Sequence, residues 1–104
     1  MFELNTETSD SNRYVISVKG EIDIYSAPGF KESLVQSISD VCKDIVLECS
    51  DLAYIDSMGL GILVGVLKRV REKGNNMIIR NPRKTVRKLF KITGLDKAFI
   101  IEED

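Results

Sequence analysis

The sequence contains no histidine and no tryptophan, and only two cysteines and two prolines among its 104 residues. Without histidine there is no Ser-His-Asp or Cys-His nucleophile system, no His-ligated zinc or haem and no phosphohistidine relay. Two cysteines cannot build a Cys₄ zinc site or hold an iron–sulfur cluster. We therefore expect no metal site, no cofactor and no catalytic residue.

The two cysteines, Cys42 and Cys49, are predicted to be free thiols that act as small apolar residues. A strand between them would hold them roughly 20 Å apart at the usual rise per residue, whereas a disulfide needs Cα atoms within about 7 Å. The N-terminus shows no signal-peptide pattern, and no apolar run is long enough to span a bilayer. These features predict a cytoplasmic protein without a membrane partner.

The net charge of −1 hides an uneven distribution of charged side chains. Residues 1–66 carry 4 basic and 11 acidic side chains, a net of −7, whereas residues 67–104 carry 11 basic and 5 acidic, a net of +6. Such asymmetry can mark an electrostatic binding face.

Segments of strand and helix pattern alternate along the chain. A hairpin is predicted from strands at residues 2–7 and 14–19, joined by a polar turn at 8–12 and stopped by Gly20. A helix capped by Ser26 follows, with a buried stripe of Phe30, Leu34, Ile38 and Val41. The later elements are a strand at 44–49, a helix at 57–73, a strand at 77–79, a helix at 82–93 opened by Asn81 and Pro82, and a strand at 98–101. This order predicts one α/β domain over residues 1–104, with a mixed, mostly parallel sheet of about four to five strands and helices packed on it.

Residues 51–61 are predicted to join a buried strand to a helix that begins near Ser57. Loops at the carboxyl ends of strands carry the sites of open α/β sheets, and a helix N-terminus offers free N–H groups. Ser57 does not fit a nucleophile, because the Gly-x-Ser-x-Gly elbow and a histidine base are missing. It does not fit a phosphate-binding loop either, because the Gly-Lys-[Ser/Thr] ending is missing. A simple helix N-cap and a phosphoacceptor modified by another protein both remain open.

One face of the 57–73 helix is predicted to face the sheet, through Leu60, Leu63, Leu67 and Val70. The opposite face ends in charged residues, Lys68, Arg69 and Glu72, but begins with an apolar, glycine-bearing group: Met58, Gly61, Ile62 and Gly65. An apolar outward surface beside Ser57 predicts a docking site for another protein. The alternative is that the two glycines permit close packing against a neighbouring helix of the same chain.

Two motifs together resemble the bacterial anti-sigma factor antagonists of the STAS domain family. Asp56-Ser57-Met58-Gly59-Leu60-Gly61, preceded by Leu52 and Ile55, is similar to the family signature. Gly20-Glu21-Ile22-Asp23 resembles the second motif, which lies before the first helix. The resemblance extends from the first strand to the third helix. Met58 departs from the small or hydroxylated residue that often stands at this position in the family.

The resemblance implies a binding protein rather than an enzyme, regulated by phosphorylation of Ser57. An anti-sigma factor that is itself a serine kinase would bind the unphosphorylated form, release its sigma factor, and phosphorylate Ser57; a serine phosphatase would reverse the modification. We expect the free protein to be a monomer. The predicted partner-binding residues are Asp23, Asp56, Met58, Gly59, Gly61, Ile62 and Gly65. For the two aspartates, loop capping is the alternative role.

Two other functions fit parts of the sequence. The chain could be a STAS interaction module of a larger signalling or transport assembly in which Ser57 is not the control point. It could also bind nucleic acid through the basic helix 82–93, whose cations Arg83, Lys84, Arg87, Lys88 and Lys91 share one face. No aromatic residue interleaves with these cations and the overall charge is not basic, so we expect a solvated face and no direct nucleic-acid partner.

Overall fold

A computed structural model describes residues 1–7 and 12–103, which form one five-stranded sheet with three α-helices. The strands are β1 (Phe2–Thr6), β2 (Arg13–Ile22), β3 (Asp44–Ile55), β4 (Met77–Arg80) and β5 (Ile100–Glu102). The helices are α1 (Ala27–Ile38), α2 (Ser57–Glu72) and α3 (Lys84–Ile92), followed by a 3₁₀ turn at Leu95–Lys97. β1 is antiparallel to β2 and all later neighbours are parallel. The predicted α/β fold is confirmed; most of the predicted turn at 8–12 lies outside the described residues.

All three helices pack on one face of the sheet. The spatial order of the strands is their order in the chain, and right-handed crossovers then place every connecting helix on the same side. The main core on that side combines the buried residues of the helices with alternate residues of the strands, such as Ile16, Leu47 and Ile79. None of the described helices is long and apolar enough to cross a membrane.

The other face of the sheet carries a small apolar cluster and two ion pairs, Arg13–Glu102 and Glu48–Arg80. Val15, Val46 and Ile78 lie side by side in register and are buried. On the same face, the guanidinium of Arg13 binds the carboxylate of Glu102 at 3.0 and 3.1 Å. This bidentate pair joins β2 to β5, which are separated by two strands in the sheet. On this face, charged side chains of the strands, rather than a helix, therefore lie beside the apolar cluster.

The two strands that lead to the candidate site are longer than predicted. Gly20 does not stop β2, which continues to Ile22, and β3 continues from the predicted end at Cys49 to Ile55. Gly20 adopts a φ of +94°, and a Cβ there would collide with the Met1 carbonyl oxygen. The strand therefore passes through Gly20 at an irregularity in its register instead of ending there.

Two helix boundaries differ from the prediction, and the predicted cap of α1 is in place without its side-chain hydrogen bond. Ser26 occupies the N-cap position of α1 but forms no capping hydrogen bond through its side chain. That helix ends at Ile38, so Val41 contacts the core from the following loop. The third helix begins at Lys84 rather than Pro82, because Asn81 is left-handed, with a φ of +55°, and Arg83 is extended.

The two cysteines are free, as predicted, but occupy different environments. Cys49 is buried in the core, and desolvation, with a smaller effect of the charge on Glu48, raises its pKa to about 12. Cys42 is exposed. The prediction of a small apolar core residue is thus correct for Cys49 and wrong for Cys42.

A thiol reagent should distinguish the two cysteines, because the thiolate is the reactive species. At pH 8 we expect a disulfide-exchange reagent to modify Cys42 rapidly and Cys49 only after unfolding in urea. The Cys42→Ala variant should lack the rapid phase, and the Cys49→Ala variant should keep it. Two thiols reacting at equal rates in the native protein would contradict the assignment.

Candidate functional site

The carboxyl ends of β2 and β3 bring the two sequence motifs together. Ile22 and Ile55 are partners in the ladder, and the Asp56 N–H donates to the Ile22 carbonyl oxygen at 3.2 Å. Asp23 and Asp56 therefore follow directly after two paired residues. The site lies at an edge where parallel strands end, which is where open α/β sheets place their ligands.

Asp56, not Ser57, is the N-cap of α2. Its Oδ1 accepts hydrogen bonds from the N–H groups of Met58 and Gly59, both at 3.1 Å. Ser57 is the first residue of the helix. Its side chain is exposed and has no hydrogen bond to another residue in the described part of the chain. The interpretation of Ser57 as a helix cap is therefore wrong, and its hydroxyl is available to another molecule.

Asp23 organises the loop between β2 and α1. Its Oδ1 accepts hydrogen bonds from the N–H groups of Ser26 and Tyr25, both at 3.0 Å, and from the Ser26 hydroxyl at 3.2 Å. The hydrogen bond from the Ser26 N–H has the largest effect and lowers the pKa of Asp23. Desolvation raises this pKa by less than that bond lowers it, and the Ser26 hydroxyl and the Tyr25 N–H lower it further. Both aspartates thus have the capping role, and within the described residues each carboxylate accepts hydrogen bonds through Oδ1 only.

Ser57 lies on a ridge between two surface depressions. The first, which we call the α1–α2 groove, is lined by Ser57 together with Lys31, Val35, Met58, Gly61, Ile62, Gly65, Val66 and Arg69. The second, the α3 cleft, is lined by Ser57 together with Ala53, Tyr54, Ile55, Asp56, Thr85, Val86 and Leu89. A protein that reaches the Ser57 hydroxyl would contact both.

The three glycines near Ser57 have two different roles. Gly61 and Gly65 are exposed, and a Cβ on either would have no other atom within 4 Å. The alternative that these two glycines allow close packing against a neighbouring helix of the same chain is therefore wrong. Their missing side chains leave the α1–α2 groove open. Gly59 is buried, and a Cβ there would lie 2.6 Å from Ile55 Cγ1 and 2.9 Å from Ile22 Cγ2. Gly59 therefore presents no surface to a partner, contrary to the prediction, and instead lets α2 start against the strand ends.

Exposed apolar side chains flank the site on several sides. The exposed fractions are 58% for Ile24, 91% for Tyr25, 48% for Tyr54 and 50% for Met58. Of these four, the sequence predicts only Met58 as part of the site. Ile24 and Tyr25 follow Asp23 and Tyr54 precedes Ile55, so closeness to the two motifs was the available signal. Apolar surface of this kind is typical of a protein-docking site.

The basic helix is exposed as predicted for a solvated face. Its cations lie opposite the buried Val86 and Phe90. Arg87 pairs with Glu103 at 2.8 Å, and Arg83 Nε donates to the Ser50 carbonyl oxygen at 2.9 Å. Some of this charge therefore stabilises the fold itself.

The chain belongs to the STAS domain family, whose sequence profile matches residues 3–104. It is 34% identical over 101 residues to an anti-sigma-B factor antagonist of Staphylococcus aureus (strain NCTC 8325 / PS 47), covering 96% of this chain and 94% of that protein. An anti-sigma factor antagonist from Mycobacterium paratuberculosis superimposes with a TM-score of 0.79 at 28% identity, covering 98% of this chain and 86% of that one. The Bacillus cell fate determinant SpoIIAA in its phosphorylated form has the same fold, with a TM-score of 0.70 at 23% identity over 95% of this chain and 90% of that one.

Alanine substitutions should separate the supporting glycine from the two open ones. Gly59→Ala overpacks the contact with Ile22 and Ile55, and we expect it to cost about 1–3 kcal/mol of unfolding free energy. Gly61→Ala and Gly65→Ala meet nothing, so each should be neutral or stabilise the helix by up to about 1 kcal/mol. Urea unfolding followed by circular dichroism measures all three. Equal stability of Gly59→Ala and Gly65→Ala would contradict this description of the site.

Proposed function

We propose that the protein is an anti-sigma factor antagonist that binds an anti-sigma factor serine kinase and is switched off by phosphorylation of Ser57. The observation that carries the proposal is the position of Ser57 on the ridge between two depressions, with an exposed side chain that forms no hydrogen bond to any other described residue. The similarity to antagonists over almost the whole chain supports the same role. A phosphorylated form of SpoIIAA, which shares the fold, is consistent with the switch.

The phosphoryl transfer needs no base from this chain. The Ser57 oxygen would attack the γ-phosphorus of ATP, forming the Ser–O–P bond while the bond to the β-phosphate oxygen breaks and ADP leaves. The hydroxyl proton would go to a base of the kinase, since the chain has no histidine. The phosphatase would hydrolyse the ester with water and release inorganic phosphate.

The phosphate should leave the fold intact. Ser57 is the first residue of a 16-residue helix. A negative charge near a helix N-terminus interacts favourably with the helix dipole and with free N–H groups. Ser57 is exposed, so the modification displaces no core side chain.

The same phosphate should oppose docking of the kinase. It adds about −1.5 to −2 charges next to Asp56 and beside the apolar surface of Met58 and Ile62. Burying that charge in an interface without a cation partner would cost several kcal/mol. Because each 1.4 kcal/mol is about tenfold in affinity, binding would fall by orders of magnitude.

Phosphorylation by the cognate kinase should be confined to one residue. We expect incubation with the anti-sigma factor of the same organism and ATP to add one phosphate, located at Ser57 by mass spectrometry. Ser57→Ala should remain unlabelled. Ser50→Ala, which removes another exposed serine, should be labelled like the wild type. Full labelling of the Ser57→Ala variant would refute the assignment.

Charge at residue 57, rather than its size, should control kinase binding. Ser57→Asp should weaken binding at least about tenfold relative to Ser57→Asn, its neutral isostere, because only the former buries a charge. Isothermal titration calorimetry gives the two affinities. Both variants should keep the circular dichroism spectrum and melting temperature of the wild type. If the two variants bind equally, the electrostatic basis of the switch is wrong.

A further inference from the structure

A cavity of about 180 Å³ lies at the end of α2 away from Ser57. It is open to solvent on one side and is bordered by the last turns of α1 and α2 and by the start of β3. Val70, on its wall, is 13 residues after Ser57, which corresponds to roughly 20 Å along a helix. The body of the cavity is therefore remote from Ser57, although Val35 and Arg69 line both this cavity and the α1–α2 groove.

The walls of the cavity are aliphatic. Val35 and Ile38 of α1, Val41 of the following loop, Ile45 of β3 and Val70 of α2 all line it. An apolar protein cavity of about 150 Å³ is known to hold a benzene molecule. This cavity is slightly larger, so it fits an apolar group of about six carbon atoms.

The rim of the cavity is cationic. Lys43, Arg69 and Lys73 line it, and none of the other lining residues is acidic. Lys73 is held in place because its Nζ donates to the carbonyl oxygens of Ser39 at 2.8 Å and Val41 at 3.3 Å, which leaves one further N–H. In the described part of the chain the side chains of Lys43 and Arg69 form no hydrogen bond or ion pair. A ligand with a negative head would supply the missing counter-charge.

We infer that this cavity binds a small amphiphilic monocarboxylate, with its aliphatic or aromatic body against the valine and isoleucine walls and its carboxylate at the cationic rim. The apolar walls favour a body of about six carbons, and the cations favour one negative charge through charge-assisted hydrogen bonds. Neither feature involves Ser57, so this inference is independent of the proposed function.

Hexanoate is the probe that tests the inference on the full chain. Titration of the ¹⁵N-labelled protein, followed by two-dimensional NMR, should give saturable shifts at Val35, Ile38, Val41 and Val70. Hexanamide, which has the same body without the charge, should bind about tenfold more weakly, as expected for loss of a charged hydrogen bond. Shifts spread over the surface without saturation, or equal affinity for the two compounds, would overturn the inference.

A charge-matched pair of variants locates the binding site. Lys43→Gln combined with Arg69→Gln should lower the hexanoate affinity about tenfold. Lys68→Gln combined with Lys88→Gln removes the same charge from residues that do not line the cavity and should leave the affinity unchanged. An equal loss in both pairs would mean that hexanoate responds only to net charge, and the site would be refuted. Kinase binding and Ser57 labelling are not used here, so failure of this test leaves the proposed function standing.

Discussion

The close contact between Gly59 and the paired ends of two strands determines the geometry of the candidate site. Gly59 touches Ile22 of β2 and Ile55 of β3, where a Cβ would have no room. This contact holds the first turn of α2 against the sheet, while Asp56 caps the same turn. Ser57, between the cap and the contact, is therefore turned toward solvent. The exposure of the serine follows from a buried glycine two residues later.

Most of the fold could be predicted from the sequence because apolar periodicity and strand order are local properties. The ends of the strands and helices could not be predicted, because contacts with residues distant in the sequence determine where each element ends. A glycine often marks the end of a strand, but β2 continues beyond Gly20 because Glu21 and Ile22 pair with β3. Adjacent Asp56 and Ser57 are both good N-caps by type, so only the backbone geometry shows which of them caps α2. The exposure of Ile24, Tyr25 and Tyr54 depends on where the helices stop covering the sheet, and no local pattern contains that information.

Two ion pairs across the sheet join the acidic first part of the sequence to the basic second part. Arg13 and Glu48 of the first half pair with Glu102 and Arg80 of the second half across the sheet. Desolvation acts to raise the pKa of Glu48, but hydrogen bonds from Arg80 and Ser50 outweigh it and lower that pKa. Of these two pairs, Glu48–Arg80 joins the majority charges of the two parts, so some of the charge asymmetry serves contacts within the fold.

The α1–α2 groove and the distal cavity have two residues in common, Val35 and Arg69. Arg69 lies about three turns of α2 from Ser57, so its guanidinium would attract a carboxylate in the cavity and also any acidic side chain that a partner places in the groove. One guanidinium cannot form full ion pairs with two separated anions at once. If a partner in the groove does pair with Arg69, the two ligands compete for it, and linkage requires that each weaken the affinity of the other by the same factor. The coupling needs no conformational change, because the shared side chain is sufficient.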